Sequence, residues 1–130
     1  MENQRVLRVE VTPPDHDATV VDPLEEKKGG VQFGTMPIPA TSLDKLTRLL
    51  SGRNLWLLNL IRKSEPQSVA ELARLSGRPK ASLTLTLRRL ENFGIIKFRE
   101  ISGRRKAPVV ICDRLLLEVA LEPKDGQSSD

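Results

Sequence analysis

Between residues 41 and 93 apolar side chains recur every three or four positions; beyond Gly94 they cluster in short β-branched runs. The first spacing predicts helices and the second predicts strands. Leu43, Leu46, Leu49 and Leu50 mark one face of a helix that opens at Thr41, where Thr41 and Asp44 have the T-x-x-D spacing of a capping box. Ser51-Gly52 interrupts, and a second apolar-rich helix is expected from Arg53 to Lys63. Glu65-Pro66 closes it, because the residue before a proline is driven out of the helical region. Ser68 and Glu71 form a second capping box, which starts a short helix with Val69, Leu72 and Ala73 on its inner side. Gly77 ends that helix, where a turn calls for positive φ.

The stretch "RPKASLTLTLRRLENFGI" (78–95) fits two patterns. Leu83, Leu85 and Leu87 alternate with Thr84, Thr86 and Arg88 as in a half-buried strand, while Leu83, Leu87 and Leu90 form a helical stripe. Pro79 decides for the helix. Its missing N–H costs nothing in a first helical turn and is awkward inside a central strand. The apolar spacing also persists too long for an ordinary strand and stops at Asn92-Phe93-Gly94.

After Gly94, "IIKFREI" (95–101) and "PVVIC" (108–112) read as two strands of a hairpin joined by Ser102–Lys106. "DRLLLEVAL" (113–121) reads as a short final helix. At the other end, "RVLRVEV" (5–11) alternates like a strand and is stopped by Pro13-Pro14. The acidic, glycine- and proline-bearing stretch to Pro39 reads as an extended arm with one more short strand at "VQFG" (31–34). The chain thus divides into an acidic N-terminal arm (1–40), a helical segment with a hairpin (41–121) and a tail (122–130).

Charge sharpens that division. Of the net +4, residues 41–121 carry 16 Lys/Arg against 7 Asp/Glu, whereas residues 1–40 carry 4 against 7 and the tail 1 against 3. A basic segment with acidic flanks points to a polyanionic partner, most often nucleic acid. At 130 residues and 3% aromatic, the chain supports one modest aliphatic core. A single cysteine and a single histidine leave no disulfide and no zinc site of ordinary ligand count. "LWLLNLI" (55–61) is far shorter than the ~20 residues that span a bilayer. The N-terminus also lacks a signal peptide's apolar middle. A cytoplasmic protein without membrane contact is expected.

The string "SVAELARLSGRPKASLTLTLRRLENFGII" (68–96), followed by "SGRRKAPV" (102–109), resembles the winged helix-turn-helix regulators of MarR and ArsR type, including a subgroup with a strand-bearing N-terminal arm. The resemblance covers roughly 41–121. Thr86 departs from it, standing where such motifs usually hold an apolar side chain. The fold it implies is mainly α with a small β-hairpin wing, plus the extended N-terminal arm with one or two short strands. Ala73 would pack between two helices, Gly77 would make the turn, and Leu83 would plug the interface. The resemblance also implies that the outer face of the 80–92 helix enters the DNA major groove. Ser82 and Thr84 would reach phosphates or base edges, Arg88 and Arg89 phosphates or guanines, and Leu85 a thymine methyl. Arg78 and Lys80 would sit by the helix N-terminus, which itself favours phosphate. Arg104, Arg105 and Lys106 would act as the wing tip.

Other motifs weigh less. Asp15-His16-Asp17 is more simply a solvated loop beside Pro13-Pro14 than a metal or acid–base triplet. Cys112 is more simply a small buried hydrophobe than a redox sensor. Trp56 is expected in the core or at a dimer interface. No phosphate loop, nucleophile elbow or carboxylate pair supports catalysis, and no cofactor is implied. The expectation is a sequence-specific double-stranded DNA-binding regulator, a repressor or autoregulator, acting as a homodimer through its leucine-rich first helix, its terminal "RLLLEVAL" helix and its arm. The alternative is an antitoxin-type interaction protein whose arm, residues 1–40, grips a protein partner.

Overall fold

In a computed structural model, which describes residues 4–12, 26–28, 31–119 and 121, four helices stand where the three-to-four spacing places them. A single 3-10 turn, Ala40–Ser42, leads into α1 (Leu43–Leu49). α2 (Gly52–Ser64) starts at Ser51, whose hydroxyl accepts from the Asn54 N–H at 3.3 Å. Its end is sharper than proline alone requires. Glu65 takes the left-handed conformation (φ 48°) and donates its N–H to the Ile61 carbonyl at 3.0 Å.

α3 (Val69–Ser76) begins at Ser68, whose Oγ accepts from the Glu71 N–H at 3.0 Å. The Glu71 carboxylate reaches one residue beyond the cap and accepts from the Gln67 N–H at 2.8 Å. Gly77 ends the helix at φ 74°, its N–H donating to the Ala73 carbonyl. α4 (Lys80–Asn92) follows after Pro79. Leu83, Leu87 and Leu90 are fully buried, as their helical stripe requires, while Leu85 is half exposed. The threonines do not make this segment a strand.

The chain forms two compact units, residues 45–113 and residues 1–44 with 114–130. In the first, α2, α3 and α4 pack with the antiparallel hairpin β4 (Ile96–Ser102) and β5 (Arg105–Val110). The core is aliphatic: Leu46, Leu57, Leu72, Leu83, Leu87, Leu90, Ile95 and Ile96, sealed by Pro66 and Pro108. Arg62 closes the C-terminal side, with its Nη1 3.0 Å from the Asp113 carboxylate. Ala73 is only partly buried, and Trp56, with neighbouring Leu55, lies half exposed instead of in the core.

The second unit corrects two expectations. The N-terminal segment is no arm with incidental strands: β1 (Gln4–Thr12), β2 (Glu26–Lys28) and β3 (Val31–Pro39) belong to a four-stranded sheet of order β2-β3-β1-β6. Its last member, β6 (Arg114–Val119), occupies the segment expected to be a final helix. β6 pairs parallel with β1, Val6 opposite Arg114 through Val11 opposite Val119. Three leucines are good helix formers, but propensity yields when a distant strand offers a full ladder. The partner stands about a hundred residues earlier, where no local pattern reveals it. Among the described residues six strands stand beside four α-helices, so this part of the fold is mixed rather than mainly α.

β3 also runs past the expected 31–34, despite Pro37 and Pro39. Among the described residues, β2 pairs with Val31–Phe33 alone, so from Gly34 onward β3 has a described strand partner on one side. Prolines at alternate positions can turn their missing N–H to the open side.

Candidate nucleic-acid interface

α4 carries different chemistry on each of its sides. One buries the leucine stripe. A second side, made by Lys80, Thr84, Arg88 and Glu91 at spacings of three and four, faces the hairpin across an open groove of about 1090 Å³. The hairpin forms the opposite wall. Ser102 pairs with Arg105, leaving Gly103-Arg104 as a two-residue turn in which Gly103 takes φ 58°. Glycine at the first central position suits the tight turns whose twist matches a hairpin. The consequence is placement: Arg104, Arg105 and Lys106 are exposed at the tip and also line the groove.

The floor of the groove comes from the start of α3, through Ser68 and Glu71, and from Arg74 one turn further. Six basic side chains therefore converge there: Arg74, Lys80, Arg88, Arg104, Arg105 and Lys106. Three carboxylates, Glu71, Glu91 and Glu100, stand among them. The groove is net cationic but mixed, a pattern that orients a polyanion rather than merely attracting one.

Five of the ten predicted site residues meet in this groove besides Lys80: Thr84, Arg88, Arg104, Arg105 and Lys106. The remaining four do not line it. Leu85 is exposed on the outer side of α4, 51% accessible. Ser82 and Arg89 are exposed on the flank away from the hairpin. Arg78 is turned inward. Its Nη1 donates to the Asn54 Oδ1 and its Nη2 to the Arg53 carbonyl, both at 2.9 Å. Burial, and then the neighbouring Arg53 charge, hold the Arg78 guanidinium below its ordinary pKa. This side chain ties the α3–α4 turn to α2 rather than standing free beside the α4 N-terminus.

The two hydroxyl residues are also engaged. Ser82 Oγ donates to the Pro79 carbonyl at 3.2 Å and Thr84 Oγ1 to the Lys80 carbonyl at 2.8 Å. Each oxygen retains lone pairs, so in this rotamer it offers an acceptor to a neighbour.

Arg74, Glu91 and Glu100 escaped the sequence reading, which took Glu71 only as a helix cap and not as part of a site. Arg74 had a signal: it follows Glu71 by one turn on a short helix whose opposite side carries Leu72. The acids had none, since only the packing of α3 against α4 and the hairpin gathers them. Asp15-His16-Asp17 lies outside the described residues. Among those described, no helix is long and apolar enough to cross a membrane.

Compared with protein families, residues 49–117 match the family model HVO_A0114, a span that takes in α2, α3, α4 and the hairpin. No curated protein matches the chain significantly. Among solved structures, similarity extends to the homodimeric winged helix-turn-helix DNA-binding domain (fragment 1–100) of Mb0332 from Mycobacterium bovis, a possible ArsR-family transcriptional regulator. That similarity is 24% in identity over 55% of this chain and 68% of the other, with a TM-score of 0.43.

Proposed function

The chain belongs to the HVO_A0114 family, and from that premise we propose that it is a sequence-specific, double-stranded DNA-binding transcriptional regulator that represses or autoregulates. The observation that carries this is the groove: an α4 side bearing Lys80, Thr84 and Arg88 stands across from a hairpin tip bearing Arg104, Arg105 and Lys106. An α-helix fits the DNA major groove, and a cationic hairpin beside it reaches the flanking backbone or minor groove. In this reading Arg88 contacts phosphate or a guanine edge, exposed Leu85 meets a thymine methyl, and Arg89 and Ser82 touch the strand on the far flank. Lys80, Arg104, Arg105 and Lys106 neutralise phosphates. The working unit is a homodimer, which sets two α4 helices on half-sites about one helical turn apart. No catalytic step, metal or cofactor enters the proposal.

The test is fluorescence anisotropy with the DNA upstream of the protein's own gene, beside a scrambled duplex, across a salt series. A preference of about a hundredfold for the upstream site, with a steep salt slope, is the expected result. Equal, salt-sensitive binding to both duplexes would reduce the proposal to a nonspecific DNA binder. No binding to either at low salt would overturn it.

A further inference from the structure

Among the described residues, the sheet of β1, β2, β3 and β6 ends on one side in an edge that is poorly defended. Sheet edges are ordinarily blunted by lysine, proline, a bulge or brevity. The other edge follows that rule, since β2 has three residues, two of them lysine. β6 is six residues of regular strand, "RLLLEV", with none of those devices. Its apolar side chains continue the sheet's buried rows into solvent. Ile38, Val11 and Val119 stand in register across three strands, as do Met36, Val9 and Leu117. Val9, Val11 and Ile38 are at most 6% exposed, whereas Leu117 and Val119 at the edge are 43% and 42% exposed. Leu116, on the other face, is 40% exposed. Such an edge is a template for another strand.

We propose that the β6 edge pairs antiparallel with the β6 edge of a second copy of this chain, joining two four-stranded sheets into one. The sequence of the edge selects both the occupant and the register. With the two-fold axis at Leu116, Leu116 meets its own counterpart, Leu115 faces the partner's Leu117, and Arg114 faces the partner's Glu118. All three kinds of contact are favourable, and the last two occur twice. Moving the axis to Leu115 or to Leu117 instead sets Leu116 against Arg114 or against Glu118, which loses both charge pairs. A parallel in-register pairing sets like charge beside like. Glu118 remains accessible for this role: its side chain is 64% exposed and lies 3.7 Å from Arg8 of the same copy. The opposite-charge pairs thus specify an antiparallel homotypic contact, and the leucines supply the burial.

This surface gives the homodimer of the proposed regulator its contact. It is tested without DNA, so its failure leaves the DNA-binding reading standing. Sedimentation equilibrium of the full chain should show a concentration-dependent monomer–dimer equilibrium. Arg114→Glu and Glu118→Arg should each weaken the dimer by about thirtyfold, since each turns two attractive cross-strand pairs repulsive. An equimolar mixture of the two variants should regain dimer, because every 114–118 contact in a mixed pair joins opposite charges. Should either single variant fail to fold by circular dichroism, the double variant Arg114→Glu/Glu118→Arg is read instead, and it should dimerise as the parent does. A parent that stays monomeric, a dimer indifferent to both reversals, or folded variants whose charge complement restores nothing would each overturn the proposal.

Discussion

At the scale of single residues, the α4–hairpin groove separates cations that hold the protein together from cations free to meet a ligand. Arg78 is of the first kind, with two nitrogens spent on Asn54 and the Arg53 carbonyl. Arg78→Ala should therefore lower stability in urea by about 1–2 kcal/mol, the size of a lost charged hydrogen-bond pair, while the salt slope of DNA binding stays unchanged. Arg104 and Lys106 are of the second kind. Alanine at either should weaken binding to every duplex alike and make the slope of log K against log salt shallower by about 0.9, as for one lost phosphate contact. Arg88→Ala should act differently, since its place on α4 sets it near base edges. The expected outcome is a loss of about 1–3 kcal/mol on the cognate duplex and a smaller loss on the scrambled one, measured by anisotropy.

The elements show which local signals hold against tertiary context. Helix ends are local events, and at α3 the capping chemistry read from sequence is realised: Ser68 caps it and Gly77 ends it with positive φ. At α1 the expected cap residue, Thr41, instead lies inside the 3-10 turn Ala40–Ser42. Two glycines make the point testable by thermal or urea unfolding. Gly77→Ala should destabilise by about 1 kcal/mol or more, because a Cβ is strained at φ 74° even with open space around it. Gly52→Ala, at the first residue of α2 with nothing nearby to strike, should be neutral or stabilising by a few tenths of a kcal/mol. β6 is the opposite case. "RLLLEV" has helical composition, and its strand state depends on the ladder offered by β1. Trp56 is a milder instance: it sits in a leucine-rich helix as expected, yet half of it faces outward.

For the whole molecule, the division of charge matters more than its total. The 45–113 unit holds 15 Lys/Arg against 5 Asp/Glu within a chain whose net charge is +4, so the remainder is net negative. On the proposed reading a polyanion is drawn to the basic unit, which makes its binding weaken with salt. The six cations of the groove and Arg89 on the far flank bound that steepness. Per protomer, the salt slope should not exceed about −6, at roughly −0.9 per phosphate neutralised. A steeper value would mean that basic residues beyond these also touch DNA.

What the sequence determined by itself are features with short reach: helix spans, caps, the Gly77 turn, the hairpin and the concentration of positive charge. These depend on residues within a few positions of one another, so the information needed is present locally. The tertiary structure alone decided which helix side of α4 faces the hairpin, the inward engagement of Arg78, the gathering of Arg74 with Glu71, Glu91 and Glu100, and the strand state of 114–119. Each of these depends on a partner distant in the chain. Hydrophobic spacing can indicate that a face is buried, but it does not say against what, and at β6 that partner overrode the local preference of three leucines.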